Sequence, residues 1–89
     1  TLLIEVEVET VDEVQEAMNA RADAILLDNM SLEEMRRAVT LVQGRCLTEA
    51  SGGINLETVK AVAETGVDLI SVGSLTHSVR ALDISLDMK

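Results

Sequence analysis

The sequence predicts an α/β fold, a (βα)4 portion of a parallel, TIM-like but incomplete barrel. Two hydrophobic periods alternate four times along its 89 residues. Helix-start and helix-stop residues stand at the joints between them. The first strand, finally, segregates carboxylates on one face from aliphatics on the other.

The elements follow in order. "LLIEVEVE" (Leu2–Glu9) alternates with period two, as a half-buried strand does, and Val11, Val14, Ala17 and Met18 then recur at helical spacing. "AILLDN" (Ala24–Asn29) is a short apolar strand. After it Leu32, Met35, Ala38, Val39 and Val42 mark a second amphipathic helix. "RCLTEA" predicts a third strand, with Leu56, Val59, Val62 and Ala63 on a third helix. "DLISVGS" predicts the fourth strand, and Leu75, Val79, Leu82 and Leu86 share one face of a fourth helix. Thr10 with Glu13 and Ser31 with Glu34 have capping-box spacing, and Asn55 is a third candidate cap. Gly44 and Gly66 fall just past helix ends, where a left-handed residue is wanted.

Strand–helix order of this kind implies parallel strands with right-handed crossovers. A small doubly wound sheet would need strands apolar on both faces. The first strand is not: Glu5, Glu7 and Glu9 line one face, and Leu2, Ile4, Val6 and Val8 the other. A carboxylate-lined face suits the inside of a barrel near its mouth, so residues 1–89 read as part of a barrel domain. The chain opens at Thr1 and enters a strand almost at once, and the expectation is a fragment with its N-terminal domain and early strands elsewhere.

Composition narrows the partners. Seven Lys and Arg stand against 16 Asp and Glu, a net charge of -9, so neither nucleic acid nor an anionic membrane is expected. No apolar run approaches the ~20 residues of a membrane span, no signal peptide is visible, and a cytoplasmic protein is expected. The absence of Phe, Tyr and Trp leaves the core to Leu, Ile, Val, Ala and Met, and points to packing against another segment or chain. The lone Cys46 reads as a buried structural thiol.

Barrel chemistry sits at the C-terminal ends of strands. There the sequence places Glu7 and Glu9, then Asp28 with Asn29, then Glu49 with Ser51, then Gly73 with Ser74. Each polar strand end alone could be a turn residue; four in register suggest a site. In "EASGGINLETV" the adjacent Gly52 and Gly53 let the backbone approach an anion, and the following helix would add amides and a favourable dipole. "VGS" (Val72–Ser74) is expected to repeat that arrangement, giving paired phosphate grips; the plain alternative is two tight turns without a ligand. His77 reads better as a surface or interface residue than as a general base, having no triad-like company. Glu7, Asp28 and Glu49 are candidates to hold Mg2+ together with water and substrate oxygens.

Taken together and at these intervals, "IEVEVET", "AILLDNMS", "EASGGINLETV", "ETGVDLISVGSLTHS" and "ALDISLDM" closely resemble the C-terminal part of quinolinate phosphoribosyltransferase, also called nicotinate-nucleotide pyrophosphorylase (carboxylating). The resemblance covers essentially the whole chain. It implies the conversion of quinolinate and phosphoribosyl pyrophosphate, with Mg2+, to nicotinate mononucleotide, pyrophosphate and carbon dioxide in NAD biosynthesis. It also implies an N-terminal α/β domain before an incomplete barrel, and a homo-oligomer, a dimer or larger. By that resemblance Glu7 and Asp28 face the phosphoribose and the metal, while Ser51, Gly52, Gly53, Val72, Gly73 and Ser74 grip the 5′-phosphate. The Arg, Lys and His set that would bind quinolinate and pyrophosphate is absent here, so the chain is expected to be inactive alone. Competing readings are a phosphate-binding barrel lyase or isomerase, and a non-catalytic half barrel that pairs with itself.

Overall fold

The computed structural model describes residues 3–81. Its elements are β1 (Glu5–Val8), α1 (Val11–Asn19), β2 (Ala24–Asp28), α2 (Leu32–Val42), β3 (Leu47–Ser51), α3 (Val59–Ala63), β4 (Leu69–Val72) and β5 (Leu75–Ser78), closed by a 3-10 turn, Val79–Ala81. One sheet takes the strands in the order β1-β2-β3-β4-β5. The first four are parallel and β5 runs antiparallel to β4. The fold class is α/β, as expected.

Each crossover among the first four strands joins neighbours, and right-handed connections then put every helix on the same face. The helices pack accordingly, α1 on α2 and α2 on α3. A doubly wound sheet reverses its winding and covers both faces. This one is wound in a single direction and covered on one side, like a stretch of barrel wall. Between helices and sheet lies an aliphatic core that includes Val14, Ile25, Leu27, Ala38, Val42 and Ile70.

Local chemistry sets the helix starts. Thr10 Oγ1 accepts from the Glu13 amide at 3.2 Å, and Glu13 Oε1 accepts from the amides of Glu9 at 2.8 Å and Thr10 at 3.1 Å. Ser31 and Glu34 form the same reciprocal box, at 3.1 and 2.9 Å. The amides of Glu9 and Ser31, respectively, are the chief reason that both glutamates hold their carboxyls below the ordinary range.

A second repeated device pins the strand starts. Asp23, just ahead of β2, accepts from the Ile4 amide at 2.7 Å. Asp68, just ahead of β4, accepts from the amide and hydroxyl of Thr48 at 2.9 and 3.2 Å. In each case a carboxylate on one strand start holds the backbone beside the neighbouring strand, which fixes the stagger of the wall.

Two expectations are corrected. The third helix is shorter than its periodicity suggests. Asn55 Oδ1 accepts from the amides of Glu57 and Thr58, and the Asn55 amide donates to Thr58 Oγ1, so a closed local turn precedes the helix. Leu56 therefore lies in that turn, 73% exposed, and not in the core. The fourth helix does not start at Leu75. Gly73 and Ser74 form a two-residue hairpin between Val72 and Leu75, with Gly73 at φ 63 and Ser74 outside the left-handed region, the Gly-X pattern of a type II′ turn. The chain returns as β5 and covers an otherwise bare edge of β4. Leu75 belongs to that strand and Val79 to the 3-10 turn; Leu82 and Leu86 lie outside the described residues.

Cys46 is half-buried, and burial is the main cause that pushes its thiol upward. Among the described residues no helix is long and apolar enough to cross a membrane.

Candidate active site on the open face of the sheet

Side chains alternate across a strand, so every strand that feeds the core also feeds the opposite, helix-free face. In β1 that face receives Glu5 and Glu7; in β2, Ala24, Leu26 and Asp28; in β3, Leu47, Glu49 and Ser51; in β4, Leu69 and Ser71. The register aligns them in rows. Glu7, Leu26, Glu49 and Leu69 form one row, and Asp28 stands beside Ser51 one step nearer the C-terminal ends. Acids expected from separate segments are thus brought to one surface.

They gather as two pairs. The negative charge of Asp28, on the strand beside it, is the main cause that pushes the Glu7 carboxyl up. Desolvation, a hydrogen bond with Asp28 and the charge of Glu9 act in the same direction. Burial is the main cause that pushes Glu49 up, followed by a shared hydrogen bond and like charge with Glu5; the Thr76 hydroxyl pulls it the other way. In each pair the neighbouring acid makes ionisation of the carboxyl beside it harder. Glu5 was missed as a site residue. Its signal was present, since it shares a face with Glu7.

The glycine loop stands at the same end of the sheet. The Ser51 carbonyl accepts from the Asn29 amide at 2.9 Å, locking the loop after β3 against the loop after β2. A Cβ on Gly52 would come within 3.0 Å of the Asn29 nitrogen and 3.1 Å of its Oδ1, and Gly52 has φ +92. Gly52 is therefore required by its neighbour as well as by its backbone. Gly53 has only Asn29 Oδ1 near, at 4.0 Å, and its side of the loop is open. The expected helix amides are not next to the glycines. Those of Glu57 and Thr58 donate to Asn55, and the helix begins only at Val59.

Val72, Gly73 and Ser74 also lie at the C-terminal end, at the hairpin tip beside the Ser51 loop. The second half of the expected paired grip is thus a β-hairpin and has no helix dipole behind it. His77 stands across from Ile70, on the helix-covered face, so its ring points away from the carboxylates. It is a half-buried strand residue and not one on a helix surface.

Four of the described cations lie away from this face. Arg45 donates to the carbonyls of Leu41 and Val42 at 3.0 and 3.1 Å, capping the end of α2. Arg36 and Arg37 line a shallow hollow of about 360 Å³ beside α1 and α2. Arg21 lies in another, about 370 Å³, at the N-terminal ends of the strands. Neither hollow contains a carboxylate of the open face. That face becomes a pocket only where a wall curves round to enclose it. Among the described residues no group of three His, Cys, Asp or Glu side chains converges as a metal cage.

Residues 1–87 match the family model of the quinolinate phosphoribosyl transferase C-terminal domain, a span that includes every acid and glycine just described. The chain belongs to this family. It is 49% identical over 85 residues to a probable nicotinate-nucleotide pyrophosphorylase (carboxylating) of Bacillus subtilis, covering 96% of this chain and 29% of that protein. It is 41% identical over 95 residues to a similarly named protein of Methanocaldococcus jannaschii, covering 99% of the chain and 34% of that relative. Among solved structures, the nicotinate-nucleotide pyrophosphorylase of Francisella tularensis superposes with a TM-score of 0.77 at 40% identity, over 85% of this chain and 28% of that one. The chain thus spans about a third or less of the length of these family members.

Proposed function

We propose that this chain forms the ribose- and phosphate-facing wall of a phosphoribosyltransferase that makes nicotinate mononucleotide, pyrophosphate and carbon dioxide from quinolinate and phosphoribosyl pyrophosphate, a step of NAD biosynthesis. One observation carries the reading. Within a family match over residues 1–87, Glu7 and Asp28 lie on adjacent strands, near enough for the charge of Asp28 to act on Glu7, at the end of the sheet where the Gly52–Gly53 loop opens.

Mg2+ suits this pair. It takes oxygen ligands and commonly binds through one or two carboxylates plus substrate phosphates. Glu7 and Asp28 offer two carboxylates, and with no third ligand converging among the described residues the remaining positions fall to water and substrate. Bound there, Mg2+ would offset charge on the pyrophosphate.

The protein groups do the rest. Glu7 and Asp28 take the ribose hydroxyls and face the positive charge that grows on the ribose as pyrophosphate leaves. Glu49 flanks them on the same row as Glu7. Ser51, Gly52 and Gly53, with the hairpin tip Val72, Gly73 and Ser74, hold the distant 5′-phosphate, and that remote binding orients the reacting carbon.

A chain of net charge -9 whose Arg36, Arg37 and Arg45 lie on the helix side cannot hold quinolinate and a polyphosphate unaided. The reading therefore places residues 1–89 as the C-terminal part of an α/β-barrel domain. The missing cations come from earlier strands and a neighbouring subunit of a cytoplasmic homo-oligomer. Nicotinate mononucleotide is to be assayed from quinolinate, phosphoribosyl pyrophosphate and Mg2+, using this chain with and without the N-terminal remainder of a family member. Product only with the remainder is expected. No product in either case, from a mixture shown to assemble, would overturn the reading.

A further inference from the structure

Strand β5 brings a residue to the open face that the fourth-helix expectation would have placed elsewhere. Thr76 stands across the antiparallel ladder from Ser71, so both hydroxyls project on the carboxylate side. Thr76 Oγ1 lies 3.4 Å from Glu49 Oε2, and Ser71 Oγ lies 3.4 Å from Thr76 Oγ1. An ionised carboxylate only accepts, and a hydroxyl has one proton to give. The Thr76 proton therefore goes to Glu49, and the Ser71 proton to Thr76. This relay runs from β4 through β5 to β3, and its direction follows from the chemistry of the three groups.

Glu49 needs such a hold. From β1 it meets Glu5, with Glu7 in its own row, and β2 adds Asp28 at the next step. Of these, Glu5 is the like charge that pushes its carboxyl up. On the other side β4 and β5 present Leu69, Ser71 and Thr76, none of them charged. Among the described residues Thr76 is the side-chain hydroxyl that reaches Glu49. Both contacts are long, as hydrogen bonds in a site often are before substrate tightens them.

We propose that Thr76 is a positioning residue, which aims the Glu49 carboxylate at the open face through the hydroxyl relay from Ser71. Its consequence for turnover rests on the phosphoribosyltransferase reading; its geometry does not.

Two substitutions separate this role from a merely structural one, because the two roles predict opposite orders. Valine keeps the β-branched shape that a strand favours and removes the hydroxyl; serine keeps the hydroxyl and gives up the branch. In the intact enzyme, Thr76→Val should lower kcat/KM about tenfold, the scale of one hydrogen bond to a charged group. Its thermal midpoint should stay unchanged. Thr76→Ser should keep kcat/KM within about threefold of the parent, since the hydroxyl survives. A valine variant with parental activity beside an impaired serine variant would overturn the proposal. Crystal structures of the parent and of Thr76→Val test the geometry without turnover: the Glu49 carboxylate should leave its place in the variant, and an unmoved carboxylate would also overturn it. An enzyme that forms no nicotinate mononucleotide would sink the functional reading and leave this structural test standing.

Discussion

Asn29 and Gly52 meet backbone to backbone: a Cβ on Gly52 would lie 3.0 Å from the Asn29 nitrogen and 3.2 Å from its Cα. Two loops that carry candidate site residues are therefore in direct contact, and neither can shift alone.

Gly52→Ala should consequently cost more than Gly53→Ala. Both positions have positive φ, at +92 and +67, but only at Gly52 does the new methyl also collide with backbone. Urea denaturation should show a loss of roughly 1–3 kcal/mol for Gly52→Ala, the range for a strained backbone position, and a smaller one for Gly53→Ala. Equal losses would show that the Asn29 contact is slack.

The clamp between Asp68 and Thr48 makes a second expectation. Removing it with Asp68→Ala leaves the amide and hydroxyl of a buried Thr48 without that partner. The variant should lose about 1–3 kcal/mol, the cost of stranding a buried donor. Hydrogen exchange at the Thr48 amide should quicken more than at the Ile25 amide in the core of β2.

Capping gives a pH signature. Glu13 and Glu34 have folded carboxyls below their ordinary value of 4.5, so each contributes stability that is present above that value and lost as pH falls through the lower, folded one. Glu13→Gln and Glu34→Gln should each flatten the acid side of the stability profile. Removing a cap hydroxyl instead, as in Thr10→Ala or Ser31→Ala, should cost about 1 kcal/mol each at neutral pH.

Glu7 carries the opposite sign. Its carboxyl sits above 4.5 because of Asp28, so its contribution is fully present below 4.5 and is lost as pH rises through the raised value. Asp28→Asn removes the repelling charge and should flatten that decline. In the complete enzyme the same substitution should lower kcat by about a hundredfold or more, the scale of a lost electrostatic contact in a transition state. The urea midpoint at neutral pH should not fall. Turnover within about twofold of the parent would remove Asp28 from the chemistry.

Much of this was legible in the order of residues. The first two helices announced themselves through Thr10–Glu13 and Ser31–Glu34, whose boxes form as spaced. The four parallel strands were visible as apolar runs, and the face shared by Glu5 and Glu7 on β1 followed from simple alternation. Legibility failed where local hydrogen bonding outweighed periodicity. Asn55 and Thr58 close a turn on each other, which takes Leu56 out of the helix it matched by spacing. Gly73 followed by Ser74 is as good a hairpin turn as a loop into a helix, and the free edge of β4 decides between them. The pairing of Glu5 with Glu49 was hidden for another reason: it depends on register across two strands, and no single segment contains that information.

The strict division of each strand between a helix-covered face and an open one has a consequence for how such a protein can change over generations. Ile25 and Leu27 point one way and Leu26 and Asp28 the other, so a replacement at an open position disturbs few of the contacts that keep the chain folded. The character of the open surface and the robustness of the fold are thereby written in alternate letters of the same strand. A lineage can rewrite one set while the other keeps its meaning, and new chemistry can arise on this wall without first weakening it.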